Sequence, residues 1–269
     1  MQQLLRRGPH RERRRLDSLR SMDEILAELA AEQAELEALL QGLSLDQWSL
    51  PTPAAGWDVR DQVAHLADTE ELAHDTATGG PRQLNTEALT FTSPEAFTES
   101  GCIKGRTMDP GAVLEWWVSG AAKTREALAR KDPKERVPWG LGMSARTLVT
   151  ARLMETWAHG LDIRAAAGEP PNITPRLRNV AWLVTNALPY ALTVAQKTPP
   201  DGRTLRVELS APGGDTWTVG PNDATDVITG DAAEFCMLGV QRLKRADAAT
   251  LKADGPLADL ALDNLRAFL

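Results

Sequence analysis

The sequence predicts a mainly α protein, with a helical bundle over residues 22–198 and a small α+β domain over residues 199–269. Three observations lead there. Apolar residues recur at three- and four-residue steps through most of the chain before Pro199. Strand-like alternation begins only after Pro199-Pro200-Asp201-Gly202. Capping residues, Pro or Gly mark the helical stretches. A chain of 269 residues, 42% of them hydrophobic, suits one large domain or two modest ones.

The elements follow in order. Over about residues 22–43, Ile25, Leu26, Leu29, Leu36, Leu39 and Leu40 repeat with helical spacing, with acidic residues between them. Residues 44–56, rich in Ser, Pro and Gly, form a connection. A second helix opens at Asp58, whose carboxylate can cap the first turn, and stops at Gly79-Gly80-Pro81. Residues 81–109 are polar and read as a loop with a short helical piece. A third helix follows Asp109-Pro110 and carries Val113, Leu114, Trp116, Trp117 and Leu128. After the turn-rich KDPKERVPWGLGM, a fourth runs from near Ser144 to about Ala167, before Gly168. A fifth starts at Pro175 and ends near Gln196. Beyond it, TLRVELSAP and DTWTVGP alternate as strands across a Gly213-Gly214 hairpin turn. Asp231 caps a helix through AAEFCMLGVQRL, ATLKADG reads as a short strand, and LADLALDNLRAFL as a closing helix.

Charge excludes some functions. The net charge is −7, yet the first twenty residues hold seven arginines against Glu12 and Asp17, a balance of +5, which leaves −12 for the rest. An acidic body argues against a nucleic-acid binder, which needs cation-rich faces to displace phosphate counterions. The basic leader, residues 1–21, can touch RNA or an anionic surface, but the expected reading is a solvated, disordered leader or an upstream start codon. It has no apolar core like that of a signal peptide, and no stretch is apolar enough to span a bilayer, so a cytoplasmic protein without a membrane partner is expected. Cys102 and Cys236 stand alone, with no partner at metal-ligand spacing. Cys236 lies in an apolar run and reads as a buried structural thiol.

Chemistry concentrates on the fourth helix, in RLMETWAHGLD at residues 152–162. Glu155 and His159 are four apart, so they share a helical face and can reach one ion. A third ligand must come from another helix. His65 on the second helix is the natural candidate, because His74 is nine residues further and points the other way, and His10 lies in the leader. Zinc accepts both donor types and, with three protein ligands, keeps a position for water or substrate. The donor set does not separate zinc from nickel or iron. By spacing alone, Glu155 and His159 can equally be an i,i+4 surface pair. Asp162 can orient a ligand imidazole, cap a neighbouring helix or sit plainly at the surface. Arg152, nearly on the same face, can hold an anionic substrate or steady Glu155. Trp157 sits two positions from both candidate ligands and should face the packing side.

The segments GWDVRDQVAHL (56–66) and RLMETWAHGLD (152–162) resemble the two signature helices of the DinB-like superfamily, and more closely its mycothiol-dependent maleylpyruvate isomerase branch, common in actinobacteria. The resemblance implies a four-helix bundle of up-down-down-up type with a His, Glu, His metal triad at His65, Glu155 and His159. It implies a small C-terminal α+β domain as well. VQRLKR (240–245) resembles the helix by which that domain offers an arginine towards the metal cleft, with Arg242 the first choice and Arg245 the second; both can also be solvated surface arginines. The implied activity uses a low-molecular-weight thiol, mycothiol, as cosubstrate, for isomerisation of or thiol transfer to a small electrophile. The metal would lower the thiol pKa, and Arg242 or Arg152 would stabilise developing negative charge. The MSARTLVTARLMETWAHG stretch differs from maleylpyruvate isomerase itself, so that enzyme's substrate is not implied. Metal-dependent hydrolysis and a non-catalytic ligand- or metal-binding module are the alternatives, and either a monomer or a homodimer is expected.

Overall fold

The structure, a computed structural model, describes residues 13–15 and 20–267. The leader expected to be disordered lies mostly outside the described residues. Within it, the backbone of Arg13–Arg15 forms a short strand, β1, and Ser21 caps the first helix. The chain divides into two compact units. One is Arg20–Asn172; the other joins the segment from Ile173 onward with β1.

The first unit is the helical one. α1 (Met22–Gln41) starts at a capping box in which Ser21 and Glu24 satisfy each other's backbone N–H. After a 3-10 turn at Gln47–Ser49 comes α2 (Val59–Thr78), started by the Asp58–Asp61 capping box and ended by Gly79 at φ 76°. α3 (Leu84–Glu87) and α4 (Pro94–Arg106) occupy the region read as mostly loop. α5 (Pro110–Ala129), the two-residue strands β2 (Arg136–Val137) and β3 (Met143–Ser144), and α6 (Ala145–Ala167) complete the unit. α2 packs on α5 and α6, α1 packs on α6 and α5, and α4 lies against α2. The core between them holds Leu36, Leu40, Trp48, Val63, Leu66, Val113, Trp117 and Ile163. Each such side chain contributes about 1.5–3 kcal/mol by leaving water.

α4 is a correction to the sequence reading. Ser93 caps it and Pro94 opens its first turn, but its buried positions are Gly101, Cys102 and Gly105. A Cβ on Gly101 would come within 2.7 Å of the Asp68 Cβ, and one on Gly105 would collide with Ala64. Glycine therefore lets α4 approach α2 closely, and such a face has no apolar periodicity to read.

In the second unit, α7 (Leu177–Val194) precedes β4 (Leu205–Ser210), β5 (Thr216–Val219), β6 (Asp226–Asp231), α8 (Ala232–Gly239), β7 (Lys252–Asp254) and α9 (Pro256–Asn264). The sheet order is β1-β5-β4-β6-β7, with β4 antiparallel to β5 and parallel to β6. Gly213 and Gly214, both with φ near 97°, turn the β4–β5 hairpin as the sequence predicts. Two features differ from expectation. α7 packs against α8, α9 and β5, so it belongs to the sheet unit rather than the bundle; its apolar stripe would read the same against either partner. α8 stops at Gly239, packed tightly on Val184, and Gln241 turns into the left-handed region at φ 59°. VQRLKR is therefore not a continuation of that helix. β6 went unread in the sequence.

Candidate metal centre

Two helices build the centre. α2 projects Gln62 and His65, three residues apart and thus on one face; α6 projects Arg152, Glu155 and His159. His65 and His159 are each 8% exposed, while the Glu155 side chain is 23% exposed, so the site is open on the carboxylate side. One ligand atom from each of His65, Glu155 and His159 lies within 4.8 Å of the others. The His159 Nε2 to Glu155 Oε2 distance is 3.3 Å, and the two imidazole centroids are 4.7 Å apart. Among the described residues these are the only three His, Cys, Asp or Glu side chains grouped in this way. Three donors, with no fourth His, Cys, Asp or Glu grouped with them among the described residues, match the open coordination of a catalytic zinc site better than a closed structural one.

The indole of Trp57, just before the α2 cap, walls the site. Its centroid is 5.1 Å from His65 and 6.2 Å from His159, nearly parallel to the latter. His74 stands apart, bonded to Asp75 at 3.1 Å, as the helical angle from His65 requires. Trp157 is buried and its indole N–H donates to the Asn172 carbonyl at 2.8 Å, a packing role.

Behind these three side chains lies a polar network. His159 Nδ1 meets Gln62 Oε1 at 2.5 Å. The Gln62 amide nitrogen donates to Thr52 Oγ1 at 2.9 Å and to Asp162 Oδ2 at 3.3 Å. Asp162 is thus one residue removed from the imidazole, and Gln62, which the sequence reading passed over, makes the direct contact. Its only signal was its position three residues before His65.

Arg152 is 2% exposed. Its Nε donates to Glu70 Oε1 at 3.1 Å and its Nη2 to Thr69 Oγ1 at 3.0 Å. Burial pushes the Glu155 carboxyl up. The hydrogen bond and charge of His159, with the charges of Arg152 and His65, outweigh burial and hold it down at about 2. Glu155 is therefore ready to bind a cation. In the other unit, Arg242 Nη1 donates to the Val240 carbonyl at 2.9 Å. Arg245 is held by Asp259 and Asp263, at 2.5 and 2.8 Å. Both cysteines are fully buried, with Cys102 Sγ 3.6 Å from the Asp61 carbonyl and Cys236 Sγ 3.6 Å from that of Leu177.

The family model of the mycothiol maleylpyruvate isomerase N-terminal domain matches residues 29–164. The chain belongs to that family. The match to the mycothiol maleylpyruvate isomerase N-terminal domain spans Trp57, Gln62, His65, Arg152, Glu155 and His159, and bears out the resemblance carried by residues 56–66 and 152–162. An uncharacterised protein of Mycobacterium tuberculosis, found in two strains, is 40% identical over 220 residues, covering 81% of this chain and 84% of its own length. The crystal structure of the mycothiol-dependent maleylpyruvate isomerase superposes with a TM-score of 0.59 at 17% identity, over 92% of this chain and 97% of that one. The crystal structure of a histidine-to-alanine variant of that enzyme aligns equally well. At that identity the likeness is one of fold, and the helical domain with its small sheet domain is the fold expected from the sequence. Among the described residues no helix is long and apolar enough to cross a membrane.

Proposed function

We propose that this chain is a metal-dependent enzyme that uses a low-molecular-weight thiol, mycothiol, to isomerise or conjugate a small electrophile. The observation that carries the reading is the convergence of His65, Glu155 and His159, the one such group of His, Cys, Asp or Glu side chains among the described residues. A divalent ion, zinc by preference, would be held by these three side chains and would act as a Lewis acid that favours the thiolate form of the thiol at neutral pH.

The chain's own residues support this chemistry. Glu155 serves as an ionised ligand rather than a base, because its carboxyl is held near 2. Cys102 and Cys236 are buried, and burial pushes both thiols up, so neither can act as the nucleophile. A thiol used in the reaction would therefore be supplied by a cosubstrate. Trp57 gives the site an apolar wall that can shield the reacting groups from water. Arg152 is committed to Glu70 and acts by charge on Glu155.

The test is conjugation or isomerisation of a panel of electrophiles by zinc-loaded protein, with and without mycothiol. Turnover only with the thiol supports the reading. Turnover of esters or amides that persists without any thiol would replace it with metal-dependent hydrolysis.

A further inference from the structure

The Gln62 side chain is fully buried and each of its polar ends has a partner. Which end faces His159 follows from what the other end meets. Thr52 Oγ1 already donates its proton to the Trp57 carbonyl at 2.9 Å, so towards Gln62 it can only accept. Thr52 therefore requires the amide nitrogen, which also reaches Asp162 Oδ2, and the amide oxygen is left pointing at His159. Reversing the amide would set its oxygen against a carboxylate and its N–H groups against the imidazole. An oxygen 2.5 Å from Nδ1 requires a proton on Nδ1. In the neutral ring, Nε2 then carries the lone pair, and it faces Glu155 Oε2 at 3.3 Å. Two acceptors that close are satisfied only by a positive charge between them, either a proton or a cation.

We propose that Gln62 is a positioning residue: through the Thr52–Gln62–Asp162 network it fixes His159 in the Nδ1–H tautomer and presents Nε2 to the ion. This rests on the metal reading above and adds the element that sets the ligand's orientation. The choice of a neutral amide has its own effect. A carboxylate at this position would draw the Nδ1 proton and make the imidazole a more basic ligand. Gln62 holds the ring without doing so, which keeps more of the ion's charge available to a bound thiol.

The experiment has two arms, both on the full chain. Zinc affinity is measured by competition with a chromophoric chelator for the native chain, Gln62→Met and Gln62→Glu. Methionine keeps the volume but accepts no hydrogen bond from the ring. Glutamate keeps an oxygen acceptor towards the ring. Gln62→Met should lose about 10–100-fold in affinity, the usual cost of removing such a partner, and Gln62→Glu should stay within a few fold of the native chain. Equal affinity for Gln62→Met and the native chain, with unchanged circular dichroism, would overturn the proposal by reducing Gln62 to packing. The second arm records long-range proton–nitrogen NMR spectra of the metal-free native chain at alkaline pH, with the His159 signals assigned by their loss in His159→Ala. An Nδ1–H pattern is expected, and an Nε2–H pattern overturns the proposal even if Gln62→Met fails to fold. A native chain that takes up no zinc but shows the Nδ1–H pattern would sink the metal reading and leave the positioning role standing.

Discussion

Glu70 on α2 and Arg152 on α6 form an ion pair 3.1 Å long, with side chains 0% and 2% exposed. Glu70 Oε1 also accepts from Gln33 on α1 at 3.4 Å, while its Oε2 makes no hydrogen bond to the protein. Three helices of the bundle thus meet on one buried carboxylate.

Removing the cation alone would leave that carboxylate uncompensated. Arg152→Leu should therefore destabilise the protein by about 3–5 kcal/mol, read as a lower midpoint in urea. Glu70→Leu/Arg152→Leu together should recover much of the loss, because an apolar pair of similar volume often substitutes for a buried ion pair without penalty. Additive losses in the double variant would show that the two residues act separately.

Metal content is the direct check on the three ligands. Protein purified without chelator should carry one zinc per chain. His65→Ala, His159→Ala and Glu155→Gln should each lose more affinity than the roughly 10–100-fold typical of a residue that only supports a ligand. Elemental analysis of the four proteins decides. Equal metal in the native chain and His159→Ala would remove the basis of the assignment.

Acid should act on the metal-free fold through Glu155. Its carboxyl is held at about 2, below the ordinary value of 4.5. The folded state therefore favours the ionised form, and the resulting stability is fully present above pH 4.5 and lost as the pH falls towards 2. Glu155→Gln lacks this contribution. Its stability between pH 4.5 and 2, followed by circular dichroism, should fall less steeply than that of the native chain, and parallel curves would contradict the assigned balance of charges.

Thiol reagents should find no target in the folded protein. Burial pushes the Cys102 and Cys236 thiols well above their ordinary value, and both side chains are closed to solvent. Iodoacetamide at neutral pH should leave the native chain unmodified and alkylate both cysteines in guanidinium, as counted by intact mass. Rapid labelling of either one in the native state would reopen the question of an internal nucleophile.

Helix starts were legible where a side chain closes its own first turn and an apolar stripe follows, which Ser93 at the start of α4 lacks. Ser21, Asp58, Ser144 and Asp231 each accept from a backbone N–H just beyond them, a local event that sequence alone can place. The metal candidates were legible for a similar reason, since four residues on a helix fix a shared face. What escaped the reading depends on distant partners. α4 is recognisable only once α2 is in place to receive its glycines, and α7 is assigned only by what it packs against. Glu70 and Gln62 read as ordinary polar residues until α6 supplies Arg152 and His159. The end of α8 depends on Val184 beneath Gly239 and on the carbonyls of Leu238 and Leu265, both of which accept from the Gln241 amide.

The close seat of Gly101 and Gly105 on α2 has a bearing on which variants of this family can survive. Asp68 and Ala64, which they touch, flank His65 along the same helix. A methyl group added at Gly105 would collide with the Ala64 side chain, so either α4 moves away from α2 or the strain falls on the residue next to His65. Natural or engineered chains that replace this pair should pay in metal retention, unless a smaller neighbour or a displaced α4 accompanies the change.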